Sequence, residues 1–180
     1  AAVFKRLRRE RVRALILDLR GNKGGDRRFV DACLPYLRLG PTPTIYQTCH
    51  RQGQPVEYHT LPPRNPLFFR GKIAVLIDGA TYSSASLLAQ YAQTYGGATL
   101  MGTETGSRRM GFFGGTVAKR RLPHSQTVIT LPTMLVEQEA LEGPPSGVQA
   151  LPLHYVEPTL EAALEGRDAV LEHALDGCRD

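Results

Sequence analysis

The sequence has no apolar run approaching the roughly 20 residues needed to cross a bilayer; the longest, Ile73 to Ile77, has five and stops at Asp78. A membrane span is excluded. Cysteine is scarce: Cys33, Cys49 and Cys178 are odd in number, widely spaced and lack the C-x-x-C pairing of a zinc site, so their spacing gives no reason to expect a metal. Nothing in the pattern asks for a cofactor. Aromatics are not interleaved among Lys5, Arg6, Arg8, Arg9, Arg11 and Arg13, as stacking on bases would require. That basic stretch accounts for the net charge of +5, from 22 Lys+Arg against 17 Asp+Glu. Because Val3, Phe4, Leu7 and Val12 recur through it at helical spacing, it reads as an amphipathic helix with a solvated basic face, and no nucleic-acid role is expected. Nothing at the start looks like a secretory signal, since no apolar segment follows the basic one.

With 180 residues, 42% hydrophobic and 22% charged, the composition fits one compact globular domain. The chain opens abruptly in what reads as the end of a helix, so the expected organisation is a single core domain over residues 1–180, the C-terminal part of a longer protein. Its 18 glycines and 13 prolines suit many short elements joined by tight turns. Arg13 to Arg20 is a short apolar run that breaks into Gly21-Asn-Lys-Gly-Gly25, the pattern of a buried strand entering a glycine loop. A helix is expected over Phe29–Leu39, with Pro35 limiting it, and Thr44–Cys49 with Val56–Thr60 read as edge strands of a hairpin around Gly53. Lys72 to Asp78 repeats the buried-strand pattern and leads through Gly79-Ala-Thr-Tyr-Ser-Ser84 into a helix at Ala85–Tyr95 closed by Gly96-Gly97. Ala98–Gly102 is a further strand. Thr116–Leu122 and Thr127–Leu131 form a second hairpin, Glu137 to Gly147 a polar loop, and Arg167–Leu175 a last helix ended by Gly177. Strands alternating with helices indicate an α/β domain with a mainly parallel sheet.

In such a sheet, reactive groups collect where strands end and helices begin, because helix N-termini expose unpaired amides that favour negative charge. Two places qualify. Gly24 and Gly25, directly after a buried strand, let the backbone present an N–H to a ligand without an intervening side chain. Ser83 and Ser84 lie between a buried strand and a helix start, where a hydroxyl is held exposed and the following N–H is aimed at the same point. Together they outline a nucleophile and an oxyanion hole, although a serine at a helix start is more often only a cap.

Four segments occur in one order: Leu17-Asp-Leu-Arg-Gly-Asn-Lys-Gly-Gly25, Val75 to Ser86, Gly102-Thr-Glu-Thr-Gly106 and Leu141-Glu-Gly143. That order resembles the C-terminal processing peptidases, or tail-specific proteases, and their tricorn-like and chlamydial-protease-like relatives. The resemblance runs from about Val12 to Leu175, and the D-L-R-x-N-x-G-G segment is its most specific part. It implies a crotonase/ClpP-like spiral of ββα units. It also implies a serine endopeptidase acting on protein or peptide substrates, with Ser83 as nucleophile and the N–H of Ser84 and of Gly25 or Gly24 as oxyanion donors.

Where the processing-peptidase branch has its lysine base, about 25 residues after the serine, this chain has Arg108, which stays protonated and is no base. The Gly102–Gly106 segment lies closer to the tricorn-like branch, whose set resembles serine with histidine and a glutamate nearly sixty residues on; that position is Glu142, since 142 − 83 = 59. In that branch the histidine precedes the D-L-R segment, so the general base is expected upstream of residue 1 and the isolated chain is expected to be inactive or nearly so. His50, His59, His124, His154 and His173 match no family position. Ser86 stands where many relatives carry glutamate. These departures leave a non-catalytic peptide-binding relative as the alternative, while an acyl-CoA enzyme on the same fold would leave the D-L-R context unexplained. The resemblance alone points to a periplasmic or secreted location and leaves a homo-oligomer open.

Overall fold

The computed structural model describes residues 1–37, 47–60, 63–107, 111–138 and 152–179. Their strands form two four-stranded sheets. The first is parallel, in the order β1 (Ala14–Asp18), β4 (Lys72–Ile77), β5 (Thr99–Gly102) and β8 (His154–Tyr155). The second is antiparallel, in the order β3 (Gln54–His59), β2 (Gln47–Arg51), β7 (Val128–Gln138) and β6 (Gly111–Arg121). The α/β assignment with its parallel sheet therefore holds, and the two expected hairpins join in a sheet of their own.

Burial explains the parallel sheet. Val75, Leu76 and Ile77 of the interior strand β4 and Leu100 of β5 are 0% exposed, each contributing about 1.5–3 kcal/mol relative to an exposed side chain. Helix α3 (Ser84–Gly96) packs Leu87, Leu88, Tyr91 and Tyr95 into the same cluster as Val75, Ile77 and Leu100, with Val30, Leu34 and Leu37 of α2 (Arg28–Leu37) beside them. The helix ends where Gly97 takes the left-handed conformation (φ 65) and its N–H reaches Gln93 O, a turn glycine makes without steric penalty. Between β4 and β5 the backbones approach so closely that a Cβ on Gly102 would lie 2.1 Å from Ile77 O.

Several boundaries differ from expectation for identifiable reasons. Helix α1 (Ala2–Arg9) stops short of Val12 because Arg11 adopts φ 53 and the Val12 N–H turns back to Leu7 O, which tucks Val12 against the core. Phe29 lies on the outer face of α2, 73% exposed. The hairpin around Gly53 forms, with Gln52 and Gly53 both at positive φ, the requirement of a two-residue turn of the I′ kind. Its strand β2 is interior, between β3 and β7, and residues 44–46 of the expected strand lie outside the described residues. Strand β7 runs past Leu131 through Pro132 to Gln138, taking the first two residues of the expected polar loop, because its last four residues pair with β2; residues 139–147 of that loop lie outside the described residues. From 119 to 132 the β6–β7 hairpin is exposed throughout. Gly177 does not end α5 (Ala169–Arg179); it lies where α5 crosses Met101 of β5. A short helix, α4 (Leu160–Leu164), was not anticipated, and Thr159 caps it by accepting from the Ala162 N–H at 3.1 Å.

The Asp-Leu-Arg segment has a structural task. Arg20 donates from both terminal nitrogens to Asp168 at 2.7 Å and from Nε and Nη2 to Asp18 at 3.0 and 2.7 Å, while Asp168 also accepts the Leu171 N–H at the start of α5. The guanidinium, chiefly through its hydrogen bond, holds Asp168 down at about 2, and it lowers Asp18 as well. A carboxyl whose folded-state pKa is depressed contributes stability above its unfolded value, and that stability is lost as pH falls through the folded value. Arg20→Ala is thus expected to destabilise by about 1–2 kcal/mol at about pH 7, after allowance for solvent screening of half-exposed carboxylates. The difference from the parent should shrink between about pH 4 and pH 2. Urea denaturation midpoints at about pH 7, and at the two ends of that range, check both statements.

Candidate active site

Each candidate segment begins where a strand of the parallel sheet stops pairing. Beyond β1, the Leu19 N–H still reaches Leu76 O at 3.0 Å, and the chain then turns through Gly21 (φ 69). Beyond β4, the Asp78 carboxylate accepts the Ala80 N–H from its own turn and the Gly21 N–H from the other loop, both at 3.0 Å. Thr81, fully buried, donates its hydroxyl to Leu19 O at 2.9 Å. The Tyr82 N–H donates to Asn22 O at 2.9 Å, and the Ser84 hydroxyl donates to Gly25 O at 2.7 Å. Four bonds thus stitch the glycine loop to the serine turn, and none is apparent from spacing within either segment.

Ser83 sits at the N-cap of α3 with φ 51 and ψ −125, and its hydroxyl makes no capping hydrogen bond. A non-glycine residue held there stores on the order of 1–3 kcal/mol, sustained only when surrounding contacts over-determine it. They do: the Ser83 N–H donates to Ser107 Oγ at 2.7 Å, and the Leu87 N–H closes the first turn onto Ser83 O at 3.0 Å. A capping serine would bond its own helix, but Ser83 makes no such bond and stays half-buried while Ser84 and Ser86 are buried. A strained strand-to-helix turn is the local geometry that exposes the nucleophilic serine of α/β-hydrolases.

Gly24, at φ 83, passes so close that a Cβ on it would lie 2.6 Å from Tyr82 O and 2.8 Å from both Ser83 Cβ and Ser84 N. Its N–H is engaged with Asn22 Oδ1 at 2.9 Å. On the outer side of Gly25, no heavy atom lies within 4 Å of the place a Cβ would take. Ser84, the first helical residue, has one of the amides that an α-helix leaves without an internal acceptor. The arrangement brings Ser83, Ser84, Gly24 and Gly25 to one point beside open space.

Behind this point lies a buried polar chain that sequence reasoning missed. Gln90 Nε2 donates to Ser86 Oγ, Ser86 Oγ donates to Thr105 Oγ1, both at 3.0 Å, and Thr105 Oγ1 donates to Ser107 O at 3.2 Å. All four residues are at most 3% exposed. Ser86 is therefore part of the packing that holds the turn's far wall. Gly106 belongs to that wall, for a Cβ there would meet the Tyr82 ring at 2.3 Å. Glu142 and Arg108 lie outside the described residues. The histidines are spread elsewhere: His50 pairs with Glu137 at 2.9 Å, His59 contacts Glu57, His154 and His173 contact each other at 3.1 Å, and His124 lies in the exposed end of the β6–β7 hairpin.

The model of peptidase family S41 matches residues 1–137. Among solved structures, mature CPAF complexed with lactacystin is similar with a TM-score of 0.70 and 15% identity, over 98% of this chain and 45% of that one. A candidate peptidase from Parabacteroides merdae ATCC 43184 gives 0.67 and 21% identity, over 93% and 52%. The photosystem II D1 C-terminal processing protease gives 0.57 and 18%, over 93% and 42%. The chain spans about half the length of these structures, and at such identities the likeness is one of fold. No curated protein matches significantly.

Proposed function

The chain belongs to peptidase family S41, and from that premise we propose that it is the core of a serine endopeptidase that cleaves protein or peptide substrates through an acyl-enzyme on Ser83. The observation that carries this is the Ser83 backbone at φ 51, held by Ser107 with its hydroxyl uncapped and Gly24 pressed against it. Ser83 Oγ attacks the scissile carbonyl carbon, and the N–H groups of Ser84 and Gly25 donate to the oxygen as it becomes an oxyanion, each contributing roughly 3–4 kcal/mol. Gly24, whose own N–H serves Asn22, contributes the absence of a side chain. The hydroxyl proton passes to a general base and from it to the leaving amine as the C–N bond breaks; water then releases the acyl group by the same path in reverse. That base is a histidine outside these 180 residues, oriented by Glu142.

A serine-directed phosphonate tests the assignment in the full-length protein. One equivalent should attach, and fragmentation should place the added mass on the peptide that contains Ser83. Peptide binding by a folded protein that never takes up the phosphonate would instead establish a non-catalytic relative.

A further inference from the structure

Sheet register brings together three side chains that sequence spacing keeps apart. Across the β2–β3 hairpin Cys49 lies opposite Glu57 and Gln47 opposite His59. Residues 57 and 59 share a face because side chains alternate along a strand. Cys49 Sγ is 3.5 Å from His59 Nε2, His59 Nε2 is 3.2 Å from Glu57 Oε1, and all three ligand atoms lie within 4.8 Å of one another. A single ring nitrogen carries either one proton or one in-plane lone pair, so Nε2 cannot accept from the Cys49 thiol and donate to the Glu57 carboxylate at once. A cation at their centre satisfies all three.

The spacing matches one kind of cation. Tetrahedral zinc, with Zn–S of about 2.3 Å and Zn–N or Zn–O of about 2.0–2.1 Å, places sulfur and nitrogen roughly 3.5 Å apart and nitrogen and oxygen roughly 3.3 Å apart. We propose that Cys49, Glu57 and His59 form a zinc-binding site on the β2–β3 hairpin, its fourth position open to water. Thiolate and imidazole favour zinc over calcium or magnesium. Cys49 and His59 are 4% and 8% exposed while Glu57 is exposed, which leaves an entry path on the carboxylate side. Zinc binding there would displace the Cys49 thiol proton into solvent and take the imidazole in its neutral form. The opposing charge nearby is Arg27, which acts on both residues but is ion-paired with Asp31 at 3.1 Å. The site is independent of the peptidase assignment, although Arg27 follows Gly25 by two residues.

Calorimetric titration of the metal-free chain with zinc should show one tight equivalent. Cys49→Ser and His59→Gln should each weaken binding by on the order of 100-fold and Glu57→Gln by about 10-fold, while a Cys33→Ser/Cys178→Ser double variant should bind as the parent does. Cobalt alone should give a thiolate-to-metal charge-transfer band in that double variant, whose sole thiol is Cys49; this decides the matter even if Cys49→Ser fails to fold. No zinc uptake by the folded chain, no cobalt–thiolate band in the double variant, or parental affinity in a folded Cys49→Ser protein overturns the site.

Discussion

Ser83→Ala in the full-length protein is expected to lower peptide turnover by about 10⁴–10⁶-fold, the scale seen when a serine nucleophile is removed and only binding and oxyanion contacts remain. Substrate affinity should change little, because the hydroxyl is not a structural bond: it caps nothing. The melting temperature should also stay near the parent's, since alanine inherits the same positive φ and the same N–H bond to Ser107. Steady-state kinetics beside a thermal melt separate these outcomes. Turnover within a factor of about ten of the parent would assign the chemistry to another residue.

Gly24→Ala is the second large effect. The new methyl would meet Tyr82 O at 2.6 Å and Ser83 Cβ and Ser84 N at 2.8 Å, and two of these are backbone atoms that cannot swing aside. Either the glycine loop lifts away from the helix start or the serine turn gives way, and both separate the proposed oxyanion donors from the proposed nucleophile Ser83. A loss of about 10³-fold in kcat is expected, with about 2–4 kcal/mol of destabilisation from contact and from φ 83 together. Gly21→Ala is the control. Its φ of 69 carries the same conformational penalty, but its Cβ would meet nothing within 4 Å, so it should lose about 1 kcal/mol. The kinetic loss should be specific to position 24.

The parallel sheet is legible in the sequence because the apolar runs Ala14–Leu17 and Ile73–Ile77 each stop at an aspartate with a glycine close behind, Gly21 after Asp18 and Gly79 after Asp78, and such runs have few options other than buried strands. The same punctuation marks Gly25 and Ser83. The second sheet is less visible: β6 and β7 are exposed over much of their length, so alternation fades, and the pairing of β7 with β2 depends on register between segments more than 80 residues apart. Ser107 carries no signal of its own, since its bond to the Ser83 N–H spans 24 residues. Cys49 and His59 escape for the opposite reason. Ligand spacing is usually sought along the chain, whereas theirs runs across a hairpin. Ser86, in a position where glutamate was the point of comparison, becomes intelligible only through the buried partners Gln90 and Thr105.

The Arg20 clamp reaches across 148 residues to Asp168, and this sets a timetable. A growing polypeptide makes its Gly-Gly turn early and the carboxylate that braces the preceding arginine 148 residues later, so the loop lacks its outer anchor until Asp168 has been translated. Long-range closure of this sort is slow and entropically unfavourable until both ends exist.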